Sequence, residues 1–312
     1  MEKRRLGNTD IYLTELGYGC ASLWGKPGFT SDEEAMGLFR RAYEMGIRFF
    51  DTGSSYGTAE ERLGQCLREV GAAARGGMVI STKCGTRVSD SGRYYHDWSV
   101  EWLKRSLDTS MERLGVDYID MLQLHGPGAD DISDAVLRWM HNLKSDGTVR
   151  AIGINSFDTD VLEHVCRGRL FDFIMLDYNI LRQDREPLID KLNENGIGVI
   201  AGAPLAQSLF SNRVYHMRGK RDVWYLLRAL KNFRGHMRYG RRFRFINKLD
   251  GFSGSQLALR YVLDNPLVSS AVFGSVSINH LVENISATDI CMPDAVRSRI
   301  QTAGRGVHGV LD

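Results

Sequence analysis

The chain has 312 residues, 43% of them apolar and 25% charged, which is ordinary for a globular protein and ample for a large core. The formal net charge of +2 says little about partners. No run of about 18 apolar residues occurs, so no membrane span is expected, and the N-terminal MEKRRLGNTDIYL carries charges but no apolar core of signal-peptide length. In chain order, RRLGNTDIYLTELGYG predicts a hairpin turned at Asn8, Thr9 and Asp10, then a first barrel strand near Leu16–Gly19. SDEEAMGLFRRAYEMG predicts a helix capped by Ser31 with acids in its first turn. IRFFD is the second strand, followed by a helix over 60–70. MVISTK, a helix capped at Ser99, YIDMLQLH, the helix SDAVLRWMHNLKSDG and VRAIGIN continue the alternation. The helix FDTDVLEHVCRG, FDFIMLDYN, the helix EPLIDKLNENG and IGVIAGAP make seven units. SGSQLALRYVLDNP, SSAVFGS and INHLVENISA supply the last set.

Eight apolar strands alternating with eight helices predict an α/β fold with a parallel sheet buried on both faces, closed as a (β/α)8 barrel with an N-terminal hairpin. The chain reads as one domain over 1–312. No strand-bounded GxGxxG occurs; the nearest approach, GYGCAS, stops at Ser22. Five scattered cysteines (Cys20, Cys66, Cys84, Cys166 and Cys291) without CxxC spacing suggest reduced, mostly buried thiols in a cytoplasmic protein, and no metal is expected. One stretch departs from the rest. Between residues 211 and 248 stand twelve Lys or Arg and one acid, Asp222, inside an enlarged loop over about 206–250 after the seventh strand. A solvated surface, an anion clamp and nucleic-acid binding are its three readings. The last is the weakest, because no recognised motif accompanies the interleaved aromatics.

In such a barrel, chemistry sits at the C-terminal strand ends. Strand two ends at Asp51, with Tyr56 in the next loop; strand three ends at Lys83, strand four at His125, and strand five at Asn155 and Ser156. A phenol titrates near roughly 10, too high for an efficient acid at neutral pH, and a neighbouring ammonium favours the phenolate. Asp51 would hold Lys83, Lys83 would tune Tyr56, and His125 would donate to the same oxygen or relay a proton. Together these groups suit protonation of an oxyanion formed when hydride adds to a carbonyl. None of them donates hydride, so a nicotinamide cofactor is required nearby. Taken singly, each could be a capping acid, a packed ring, a solvated amine or a turn histidine. A barrel glycosidase needs two carboxylates at strand ends, whereas strands four and seven end in His125 and Gly202.

DTGSSYG, STKCG, LQLHGP, VRAIGINSF and HLVENISA resemble, in order and separation, the aldo-keto reductases, over about residues 4–290. The resemblance implies Tyr56 as general acid/base, Asp51 and Lys83 as its tuning pair, and His125 as the residue that orients the carbonyl. It also implies a cofactor seat around Asn155, Ser156, Met175, Pro204, Leu205, Arg213, Gly274, Ser275, Ser277, His280, Glu283 and Asn284. This chain departs from the family pattern in that seat. Ser-Asn is inverted to Asn155-Ser156, a strand-six glutamine is Met175, the strand-seven aromatic is Gly202, and the residues gripping a 2′-phosphate are Gly274 and His280. The family favours NADPH; these changes leave NADP(H) or NAD(H) open. Trp24, Tyr94, Tyr95 and Trp98 sit in loops expected to wall a substrate pocket. The expected activity is interconversion of an aldehyde, ketone or sugar with an alcohol. The alternative is a slow redox-sensing subunit resembling potassium-channel β-subunits. The expected partner is a small carbonyl or alcohol, not nucleic acid or membrane, with monomer or homo-oligomer open.

Overall fold

The two short strands that open the chain form a plug for the barrel. In a computed structural model, described over residues 1–25, 30–89, 91–210 and 238–306, β1 (Lys3–Arg5) pairs antiparallel with β2 (Tyr12–Thr14). The turn between them closes through Leu6 N to Ile11 O at 2.9 Å. Leu6, Ile11 and Leu13 are fully buried in one cluster with the inward side chains Phe49, Val79, Met121, Phe173 and Ile200. Each such burial contributes roughly 1.5–3 kcal/mol, which holds the hairpin across the N-terminal end of the strands.

Barrel strands one to three are β3 (Leu16–Gly19), β4 (Phe49–Asp51) and β5 (Val79–Cys84). A second hairpin, β6 (Thr86–Val88) with β7 (Tyr94–His96), leaves the top of β5. Barrel strands four to eight are β8 (Ile119–His125), β9 (Val149–Asn155), β10 (Phe173–Asp177), β11 (Gly198–Gly202) and β12 (Ser270–Phe273). β12 pairs back onto β3, so the eight parallel strands form a closed barrel. A helix follows each barrel strand; those beginning at Asp32, Val100, Asp134, Thr159 and Gly254 carry side-chain caps from Ser31, Ser99, Ser133, Asp158 and Ser253, each worth about 1 kcal/mol.

Strand alternation decides what reaches the site. Along β5, Ile80 and Cys84 pack outward under the helices, whereas Val79 faces the interior. Along β8, Leu122 and Leu124 face outward and Met121 inward. Lys83, Gln123 and His125 therefore share the inner face. The second hairpin and a C-terminal helix, Asp294–Gly304, add to the expected elements. All five cysteines are free, and four are buried. No helix among the described residues is long and apolar enough to cross a membrane. Most of the basic stretch, 211–237, and Arg213 with it, lies outside the described residues.

Candidate active site

Asp51, at the end of β4, is paired in register with Ser81 of β5, and Lys83 of β5 with Gln123 of β8. This register brings the four side chains into one layer. Lys83 Nζ donates to Asp51 Oδ2 at 2.5 Å and to Thr52 O at 2.7 Å. Gln123 Nε2 donates to Asp51 Oδ1 at 3.0 Å and to Ser81 Oγ at 2.6 Å. Both carboxylate oxygens are thus engaged, and the pair is almost sealed from solvent, Asp51 being 4% and Lys83 2% exposed. Burial alone would discharge the amine; the Asp51 carboxylate and Tyr56 outweigh it and raise Lys83 above the ordinary lysine value.

Tyr56 lies above this pair. Lys83 Nζ is 5.2 Å from its ring centre, and the His125 ring meets it edge-on at 5.7 Å and 86°. Gly57, at φ +57°, lets the chain turn away immediately after Tyr56, and a side chain there would strike Trp24. From charge alone, Lys83 is expected to lower the phenol. Lys83 does act in that direction, but burial is the larger effect and the phenol stands above its usual value. At neutral pH Tyr56 is therefore a protonated phenol beside a fixed cation. His125 is pushed down to about 3 by burial, then by Lys83 and His96, so its imidazole is neutral. Its Nδ1 lies 3.2 Å from Thr86 Oγ1.

These groups open into a cavity of about 450 Å³ lined by Trp24, Tyr56, Thr86, Tyr94, His96 and His125, and on the far side by Asn155, Ser156 and Phe157. Trp24 and Tyr94 meet edge-on at 6.1 Å. Tyr95 and Trp98 do not line it: the Arg87 guanidinium lies over Tyr95, and the Trp98 ring lies against His96.

Of the expected cofactor residues, Asn155 and Ser156 reach the cavity wall, and Met175 lies buried inside the barrel. Asn155 is half-buried, and its side-chain amide has no hydrogen-bond partner among the described residues. Pro204 and Leu205 follow β11 in a tight turn that begins at Ala203, φ +50°. Ser275 and Ser277 form the loop after β12, tied down where Tyr18 Oη donates to Ser275 O at 2.7 Å. His280, Glu283 and Asn284 lie on the helix Ile278–Ile285, whose first residues receive no side-chain cap.

A sequence model of the aldo/keto reductase family matches residues 15–305. The chain belongs to the aldo/keto reductase family. It is an NAD(P)H-dependent oxidoreductase of carbonyls and alcohols. It is 29% identical over 297 residues to an uncharacterised oxidoreductase of Bacillus subtilis, YqkF, covering 93% of this chain and 92% of the relative. It is 31% identical over 303 residues to L-galactose dehydrogenase of Arabidopsis thaliana, covering 92% and 88%. Among solved structures, the holo form of an aldo-keto reductase from Bacillus halodurans superposes with a TM-score of 0.80 at 25% identity, covering all of both chains.

Gln123, Thr86, His96 and Phe157 are not among the site residues expected from the sequence. Gln123 had a signal, being a polar residue in phase with His125 on an apolar strand. The other three reach the cavity only through the loops above the strands.

Proposed function

We propose that this aldo/keto reductase interconverts a small aldehyde, ketone or sugar with its alcohol at the 450 Å³ cavity, with Tyr56 as general acid/base. The convergence of Tyr56 and His125 on the cavity, with the buried Lys83–Asp51 pair behind the phenol, carries the reading. A nicotinamide bound beside Asn155 and Ser156 would supply hydride to the carbonyl carbon. In the reducing direction Tyr56 gives its hydroxyl proton to the carbonyl oxygen, and in the oxidising direction it takes the proton back. Lys83, fixed by Asp51, stabilises the phenolate left behind. Neutral His125 orients the same oxygen by a hydrogen bond.

The cofactor seat suits a nicotinamide. The free Asn155 amide can pair with the carboxamide, with Ser156 beside it. The Phe157 ring is 47% exposed at the cavity wall. A Cβ at Gly202 would lie 3.5 Å from that ring, so Phe157 offers a flat apolar surface beside the place where the family's strand-seven aromatic would stand. Arg185 Nη2 donates to Phe157 O at 2.5 Å and holds it there. Ser275, Ser277, His280, Glu283 and Asn284 would receive the adenosine end, the uncapped amides of the helix Ile278–Ile285 favouring an anion.

The test is consumption of NADH or NADPH, followed by absorbance, against a panel of small aldehydes, ketones and sugars. Multiple turnovers with any of them support the reading. Failure with all, combined with retention of tightly bound nicotinamide and one slow turnover, would replace it with a redox-sensing role.

A further inference from the structure

A neutral imidazole has one ring proton, and which nitrogen carries it decides whether His125 meets a ligand as donor or acceptor. Nδ1 faces Thr86 Oγ1 at 3.2 Å, whereas Nε2 has no partner among the described residues. Thr86 opens β6 directly after Gly85, whose φ of +101° turns the chain back over the top of β5. This turn sets Thr86 beside His125, and Thr86 is only 9% exposed.

The hydroxyl has one hydrogen, and among the described residues its only acceptor is His125 Nδ1. If Nδ1 carried the proton and donated to Thr86, the hydroxyl hydrogen would be left buried without an acceptor. If Thr86 donates, the donor left over is the Nε2–H of His125, which lines the cavity, where water or a ligand oxygen can accept it. An unmet buried donor is costly enough to bias the tautomers by about tenfold or more. His96, opposite Thr86 in the hairpin register, and Tyr56 and Lys83 are the other titratable groups facing the imidazole.

We propose that Thr86 is a positioning residue that holds His125 in the tautomer with its proton on Nε2, so that the imidazole enters the cavity as a hydrogen-bond donor to the substrate oxygen. The value of that donor rests on the carbonyl-reduction reading; the tautomer does not, and can be read without substrate or cofactor.

The experiment is a long-range proton–nitrogen correlation spectrum of the full chain carrying ¹⁵N-histidine, without cofactor, at neutral pH. His125 is assigned by its loss in His125→Gln. The expected spectrum has a pyrrole-like Nε2 and a pyridine-like Nδ1. Thr86→Val, which keeps the shape and removes the hydroxyl, is expected to populate both tautomers. Its kcat should fall about fivefold or more, with cofactor Kd changed less than about twofold. Thr86→Ser should restore one tautomer and most of the turnover. A pyrrole-like Nδ1 in the wild-type chain, or an unchanged tautomer in Thr86→Val, overturns the proposal. If Thr86→Val fails to fold, Thr86→Ala, which also lacks the hydroxyl, is read in its place, with the same expected and overturning spectra. The expected tautomer together with full activity in Tyr56→Phe would sink the functional reading alone.

Discussion

Replacing Lys83 by Met keeps the length of the side chain and removes its charge. Asp51, 4% exposed, would then keep only the Gln123 amide at 3.0 Å and lose the ammonium at 2.5 Å. An unpaired buried carboxylate costs about 3–5 kcal/mol. Asp51→Asn removes the counter-charge and leaves the buried ammonium on neutral acceptors such as Thr52 O, and should cost a similar amount. The double variant Asp51→Asn/Lys83→Met leaves neither charge, so its loss should be smaller than the two single losses added, by about 2–3 kcal/mol. Urea unfolding followed by far-UV circular dichroism measures all four corners of this cycle. The pH dependence has a definite sign. Because the folded Lys83 value is raised, its stabilisation is full below the unfolded value near roughly 10.4 and fades only as pH rises through the folded value. The coupling should therefore be constant from roughly pH 6 to 9. Additivity within about 0.5 kcal/mol would refute the buried pair.

His125 is pushed down to about 3 from 6.5, so below pH 6.5 the unfolded chain binds a proton that the folded chain refuses. Wild-type stability should fall by about 1.5 kcal/mol more than that of His125→Gln between pH 6.5 and 5, and parallel curves in denaturant titrations at the two pH values would count against it. Phe157→Ala should weaken nicotinamide binding about fivefold to tenfold in a fluorescence titration, through loss of a stacking surface, while leaving the thermal midpoint nearly unchanged because the ring is half-exposed. An unchanged Kd would show that Phe157 only packs.

The barrel was legible because its strands are apolar on both faces and bounded by polar turns. Phe49 and Asp51, Val79 and Lys83, and Met121 and His125 stand an even number of residues apart on their strands and so share a face. The hairpin over Thr86–Val88 and Tyr94–His96 was not legible. Its strands are half-exposed or exposed at nearly every position, so no apolar period marks them. The helix Asp294–Gly304 buries only Ile300 and Gly304, which leaves a pattern too sparse to read. Asp51, Lys83, Tyr56 and His125 could be named because strand ends converge in any such barrel. Thr86 and Phe157 could not, since loop conformation carries them to the cavity. The direction of the Tyr56 shift was also hidden: the effect of Lys83 follows from charge, but the larger effect of burial depends on the tertiary surroundings of the ring.

The most direct test of the account is Tyr56→Phe, which removes one oxygen. Its turnover with the best carbonyl substrate and its affinity for reduced nicotinamide should be measured on the same preparation. Turnover should fall by roughly 10²-fold or more, the scale of a lost general acid, while cofactor Kd stays within about twofold. Turnover near the wild-type rate would contradict the account.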